Sequence, residues 1–341
     1  MLPKNGRRGR AKLERALSRS NETLASLPEL VEMYIYAKQA EGTAKGTLTN
    51  KRLAVNKFLQ FVEDNGHQDV SLRALSVQTV REFISYLRYN HVKHENNQFV
   101  DDDYKTAGLS PSTVNTHLKH LRDFFNFLKS EKYTDDNPFH AVKLVKEPVD
   151  AVEALTMDEI KRLVRIPDTK RFAGFRDYVL IVLLLDTGLR ISEALALTAD
   201  DIDFKTQNIT VKAENAKSGK FRFVPFSPKT GRLLKELIAE VKEIDCVYLF
   251  CTVYGNPLER EIFRKRLKRY AEEAGITRKV SPHVLRHSFA TQYLLNNGDV
   301  MSLQKILGHS SISMVRRYVQ MTDADISKTH AKFSPIQNIR V

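Results

Sequence analysis

Seven consecutive apolar residues, Val179–Leu185, closed by Asp186, Thr187 and Gly188, constrain this chain more than any other feature. The run falls far short of the roughly 20 residues that cross a hydrocarbon core. It reads instead as the middle of a helix apolar on every side, which only a surrounding protein core can bury. Gly188 suits a left-handed exit from that helix, and a second helix is expected to begin near Arg190 in GLRISEAL. No membrane span is expected.

The rest of the chain falls into segments on either side of this one. Apolar residues at helical spacing predict helices near 27–40, 47–64, 77–89 and 111–129, the last with Ser110 as cap and Pro111 in its first turn. HVKHENNQFVDDDYKTAG, between the third and fourth, is too polar for a core and reads as a surface loop; Asp101, Asp102 and Asp103 are not read as a metal site. Pro138 and Pro148 punctuate a sparse apolar pattern that reads as a linker, after which Thr156 and Glu159 form a capping box. Downstream, short strands are expected around 207–213 and 221–225, and helices near 228–242, 259–273, 282–296, 301–306 and 311–319. The expected fold is mainly α with a small antiparallel β-sheet. Its parts are a basic arm over 1–22, a helical domain over 23–135, a linker over 136–154, a second domain over 155–322 and a tail over 323–341.

Charge narrows the choice of partner. The 54 Lys and Arg against 41 Asp and Glu leave a net charge of +13, which fits a polyanion or a merely solubilising surface. Two clusters stand out. Residues 1–20 of the arm carry Lys4, Arg7, Arg8, Arg10, Lys12, Arg15 and Arg19 against Glu14 alone, and FRKRLKRY places Arg264, Lys265, Arg266, Lys268 and Arg269 on one helix. Both can contact backbone phosphates, and both can be solvated faces. The N-terminus lacks the apolar stretch of a secretory signal, so the chain is expected in the cytoplasm. Cys246 and Cys251, the only cysteines, are too few for a disulfide scaffold and read as buried or half-buried structural residues.

Two further segments carry chemistry. In SPHVLRHSFAT, Ser281-Pro282 starts a helix on which His283 and Arg286, three apart, point from one face. In LGHSSISMVRRYVQM, His309 and Tyr318 share a short segment. A tyrosine hydroxyl attacks phosphate only with proton removal and neutralisation of the developing charge. Taken singly, each motif is also compatible with a structural role.

Together and in order, DTGLRISEAL, AKSGKFRFVP, HVLRHSFAT and LGHSSISMVRRY resemble the tyrosine recombinase, or phage integrase, family. The resemblance spans roughly 150–325, and the upstream helices agree with the family's core-binding domain. It implies a catalytic domain over 155–322 with Arg190, Lys217, His283, Arg286, His309 and Tyr318 in its active site. On that resemblance Arg190 and Arg286 clamp the nonbridging phosphate oxygens, Lys217 protonates the leaving 5′-oxygen, His283 assists proton transfer at Tyr318, and His309 orients the phosphate. Lys220, beside Lys217, is an alternative acid or a DNA contact, and Lys212 also flanks it. Asp186 and Glu193 read as structural groups rather than paired metal ligands. The implied activity is cleavage and rejoining of duplex DNA through a 3′-phosphotyrosyl link, without metal or cofactor. It would serve integration or excision of a mobile element or resolution of circular DNA. The implied assembly is a homotetramer on two recombination sites, with room for an accessory DNA-bending protein and with the tail packing in trans. A type IB topoisomerase and a catalytically inactive DNA-binding regulator are the competing readings.

Overall fold

The computed structural model describes residues 26–65, 75–92, 106–147, 154–214, 220–309 and 334. The chain divides into two compact units, 1–149 and 150–341. Among the described residues the fold is mainly helical with one three-stranded antiparallel sheet, and no helix is long and apolar enough to cross a membrane.

In the first unit, α1 (Leu27–Ala40), α2 (Lys45–Asp64), α3 (Val77–Ser85) and α4 (Pro111–Ser130) surround a core of phenylalanines. A single π-turn, Tyr86–Asn90, continues α3. Ser110 caps α4 through the Thr113 amide, with Pro111 in the first turn. Phe58 sits edge-on to Phe83, Phe125 and Phe139 at centroid separations of 5.1, 6.0 and 5.2 Å. Each such pair adds about 0.5–1.5 kcal/mol beyond the area it buries.

Phe139 corrects the expected linker over 136–154. It is 1% exposed in this core. Arg122 Nε donates to its carbonyl at 2.9 Å, and Asn115 brackets Val145 with two hydrogen bonds, 2.9 Å to its carbonyl and 2.8 Å from its amide. The chain as far as Val145 therefore packs on the first unit. Pro138 marks a turn there and not the start of a free connection, because one large aromatic anchors the segment.

The second unit is organised around α6 (Phe172–Thr187), most of whose apolar residues are buried, as the run Val179–Leu185 requires. Before it comes α5 (Met157–Leu163), with the expected Thr156–Glu159 capping box. After it come α7 (Ile191–Leu195), β1 (Ile202–Asp203), β2 (Asn208–Val211), β3 (Arg222–Pro225), α8 (Pro228–Ile244), α9 (Arg260–Glu273), α10 (Pro282–Leu295) and α11 (Val300–Leu307). Helices α8 and α10 pack on α6, and α11 packs on β3. The strands run in the order β1-β2-β3, with Ile209 opposite Val224 and Val211 opposite Arg222. Strand β1, only two residues long, is absent from the sequence expectation. Cys251 is buried, Cys246 half-buried, and both are free thiols. The expected helix over 311–319, the arm, residues 93–105 of the polar loop and nearly all of the tail lie outside the described residues.

Candidate active site

Arg190 is placed by the turn that ends α6. Gly188 takes φ +62°, and a Cβ there would lie 2.3 Å from Phe289 Cδ1 and 2.8 Å from Leu307 Cδ2. Both conformation and space therefore require glycine. Two residues later Arg190 occupies the N-cap of α7, and Glu193 folds back onto it. The Glu193 carboxylate accepts from the Arg190 amide at 2.8 Å and from Arg190 Nη1 at 2.9 Å.

Glu193 is fully buried, and a second arginine completes its shell. Arg222, on β3, donates Nη1 to Oε1 at 3.0 Å and Nη2 to Oε2 at 2.7 Å. Burial pushes the Glu193 pKa up. The hydrogen bonds from Arg222 and the Arg190 amide, with the Arg222 charge, outweigh that and hold it below the ordinary carboxylate value.

Helix α10 carries the next group. Ser281 caps it, Pro282 fills its first position, and His283 and Arg286 follow one turn apart. His283 is exposed, whereas Arg286 is 5% exposed. Arg286 Nη1 donates to Gly188 O at 2.7 Å and Nη2 to Leu307 O at 2.8 Å, which aims the guanidinium at the same place as Arg190. Arg190 Nη1 reaches that same Leu307 carbonyl at 3.4 Å.

The shared acceptor belongs to the last turn of α11, which exits through Gly308 at φ +63°. Helix C-terminal carbonyls carry partial negative charge and suit cations, so this end holds the arginines without needing a further carboxylate. His309 follows directly. Its amide donates to Gln304 O at 3.1 Å, and its Nε2 lies 2.9 Å from Arg286 Nη2. A guanidinium only donates, so this Nε2 accepts and the ring proton of neutral His309 sits on Nδ1.

Arg190, Arg286 and His309, from three separate sequence motifs, thus meet at one helix end. His283 is on the same helix as Arg286. Lys217 and Tyr318 lie outside the described residues, and Lys220 is exposed just ahead of β3. Asp186 accepts from the Ser227 amide at 2.7 Å, a structural role like that of Glu193. Among the described residues no three His, Cys, Asp or Glu side chains gather as a metal site.

The basic helix α9 is less uniform than its sequence. Arg264 pairs with Glu261 at 3.3 Å, Lys268 with Glu272 at 3.6 Å and Arg269 with Glu273 at 3.3 Å, all exposed pairs. Lys265 is exposed with no ion pair among the described residues. Arg266 corrects the expectation of a DNA contact. It turns inward to pair with Asp177 and donates Nη2 to Tyr270 Oη at 2.8 Å. Its position on the helix face beside Leu267 and Tyr270, both buried, explains the turn.

Arg222 is the residue that sequence reasoning missed. The signal was available in FRFVP: with period two, Arg222 shares a face with Val224, and that face is the buried one. Phe221 and Phe223 occupy the exposed face, at 66% and 61%.

Two guanidiniums preoriented by backbone acceptors can stabilise negative charge developing on one phosphate at little reorganisation cost. Comparison with known proteins agrees with that chemistry. Residues 153–325 match the phage integrase family, and residues 26–144 match the phage integrase SAM-like domain. The chain is 28% identical over 303 residues to the tyrosine recombinase XerC of Bacillus subtilis, covering 84% of this chain and 98% of that protein. It is 30% identical over 237 residues to the tyrosine recombinase XerD of Listeria innocua, covering 68% of this chain and 79% of that protein. In fold it is similar to the Tn1549 transposon integrase in complex with circular intermediate DNA, with a TM-score of 0.65 at 20% identity over 88% of this chain and 98% of that one.

Proposed function

This chain belongs to the phage integrase family, and on that premise we propose that Tyr318 is the nucleophile with which it cuts DNA. The protein is a tyrosine recombinase, an enzyme that cleaves and rejoins DNA at specific sites. On our reading Tyr318 Oη attacks the scissile phosphorus and the P–O bond to the 5′-oxygen breaks, leaving a 3′-phosphotyrosyl link. The tyrosine proton passes to His283, and Lys217 supplies the proton that the departing 5′-oxygen takes up. A 5′-hydroxyl from another strand reverses these steps. One phosphodiester is exchanged for another throughout, so no energy-supplying cofactor enters the balance.

Arg190 and Arg286 take the nonbridging oxygens, with His309 beside Arg286. The observation that carries this reading is the convergence of both arginines on the Leu307 carbonyl. Exchange takes place within a homotetramer holding two DNA sites, with an accessory DNA-bending protein and the tail packed in trans as further parts of the assembly. The biological setting is integration or excision of a mobile element, or resolution of circular DNA, in the cytoplasm.

Tyr318→Phe tests the nucleophile. On a nicked suicide substrate run on a denaturing gel, the variant should bind DNA and give no covalent adduct; a normal adduct yield removes Tyr318 from the role. A sulfur at the bridging 5′-position tests Lys217, because a thiolate leaves with little need of a proton. The Lys217→Ala defect should shrink on that substrate, and rescue confined to Lys220→Ala would move the role to Lys220.

A further inference from the structure

We propose that Arg222 is a positioning residue for DNA cleavage, acting on the reaction through Arg190 and through the last turn of α11. Three facts lead there. Arg222 commits both Nη atoms to Glu193, one to each oxygen, and Glu193 in turn holds Arg190 by its amide and its Nη1. Its remaining donor, Nε, goes to Ile306 O at 2.9 Å, next to the Leu307 carbonyl on which Arg190 and Arg286 meet. Its side chain also lines the turn itself: a Cβ on Gly308 would lie 3.0 Å from Arg222 Cδ and Nε, immediately before His309.

The arrangement is a strut. Each Glu193 oxygen accepts once from Arg190 and once from Arg222, so the carboxylate plane, and with it the Arg190 side chain, is set by a fork-to-fork contact. The same guanidinium braces the helix end that orients Arg286. Arg222 itself, with a side chain 9% exposed, directs all three of its side-chain nitrogens at protein acceptors. A lysine would preserve the charge, but one ammonium cannot present a planar fork to both carboxylate oxygens and reach Ile306 O as well.

The inference rests on the reading of Arg190 as a phosphate clamp, and the experiment separates the two. The full chain is compared with Arg222→Lys, Arg222→Gln and Arg190→Ala on two suicide substrates. One carries a normal scissile phosphate; the other carries a methylphosphonate, in which a methyl group replaces one nonbridging oxygen and removes the charge that the clamp neutralises. On normal DNA at saturation, Arg222→Lys should cleave roughly tenfold to hundredfold more slowly, the scale set by losing a group that orients a working residue. Its DNA affinity should stay unchanged. On methylphosphonate DNA the deficits of Arg222→Lys and Arg190→Ala should both shrink. If the Arg190→Ala deficit shrinks and that of Arg222→Lys does not, Arg222 is only structural and the inference is overturned. If neither shrinks, the clamp reading fails first. Arg222→Gln, which keeps a planar donor without the charge, should fall between Arg222→Lys and the parent. Unchanged cleavage by both Arg222 variants also overturns the proposal.

Discussion

Two buried carboxylates in the second unit each hold a pair of arginines, and they do different things with them. Asp177, in α6, accepts from Arg176 Nε at 3.0 Å and Nη2 at 2.7 Å, from Tyr270 Oη at 2.9 Å, and from Arg266. Arg176 sends Nη1 to Cys251 O at 2.7 Å, and Arg266 sends Nη2 on to Ala173 O at 3.3 Å. Burial raises the Tyr270 pKa, and the Asp177 charge raises it further, so the phenol stays a donor. Glu193 is just as buried. Yet Arg190, its partner, uses only Nη1 among its side-chain nitrogens, and Nε and Nη2 have no hydrogen-bond partner among the described residues. A buried ion pair is therefore common to both clusters. What separates a joint that holds from one that works is a guanidinium fixed at one end and left with donors at the other.

Substitutions can break that contrast. The largest effect is expected at the joint: Asp177→Ala leaves two arginines and a tyrosine around a missing charge and should lower stability by about 3–5 kcal/mol. Its denaturant midpoint should fall while the cleavage rate per folded molecule holds. Arg190→Ala should do the reverse, losing about 3 kcal/mol of transition-state stabilisation with a nearly unchanged midpoint. Slow cleavage by folded Asp177→Ala, or an unfolded Arg190→Ala, would erase the distinction.

A pH series sharpens it further. Glu193 is held below its ordinary 4.5. A carboxylate held low in the folded state contributes stability in full above its unfolded value and loses it as pH falls through the folded one. Stability should therefore drop below about pH 4.5, and Glu193→Gln should flatten that acid limb of the denaturation profile; an unaltered limb would assign the drop to other carboxylates. The smallest effect concerns α9. Lys265→Ala should reduce the slope of log affinity for DNA against log salt by about 0.9, one phosphate contact. Arg266→Ala should leave the slope alone and lower the melting temperature, so an equal change of slope in both would mean that Arg266 reaches DNA after all.

Much of this architecture was legible because it rests on local periodicity. The helices at 27–40, 111–130, 260–273 and 282–295 end within a residue or so of expectation, since caps such as Ser110, Thr156 and Ser281 leave their mark in the residue next to the apolar pattern. What escaped depends on long-range packing. Phe139 sits beyond a proline in a polar stretch, and only the aromatic core it enters reveals it as part of the first unit. The alternation in FRFVP was visible, but two phenylalanines and one arginine suggest the wrong inward face. The buried acceptor Glu193, 29 residues away, draws the arginine in instead. Of the site, Arg190, Arg286 and His309 were found through their motifs. The acceptors that hold the two arginines were not, because they are the main-chain carbonyls of Gly188 and Leu307.

That last point bears on how such a site can drift. The oxygens that hold Arg190, Arg222 and Arg286 at the end of α11 are main-chain atoms of residues 188, 306 and 307. No codon change deletes a carbonyl. A mutational scan at Ile306 or Leu307 would report packing alone and rate the positions as tolerant of any residue that fills the space, although both are points of attachment for the chemistry. Only a backbone edit, such as an ester in place of the amide after Leu307, would weaken the acceptor itself and expose how much of the site is written outside the genetic alphabet.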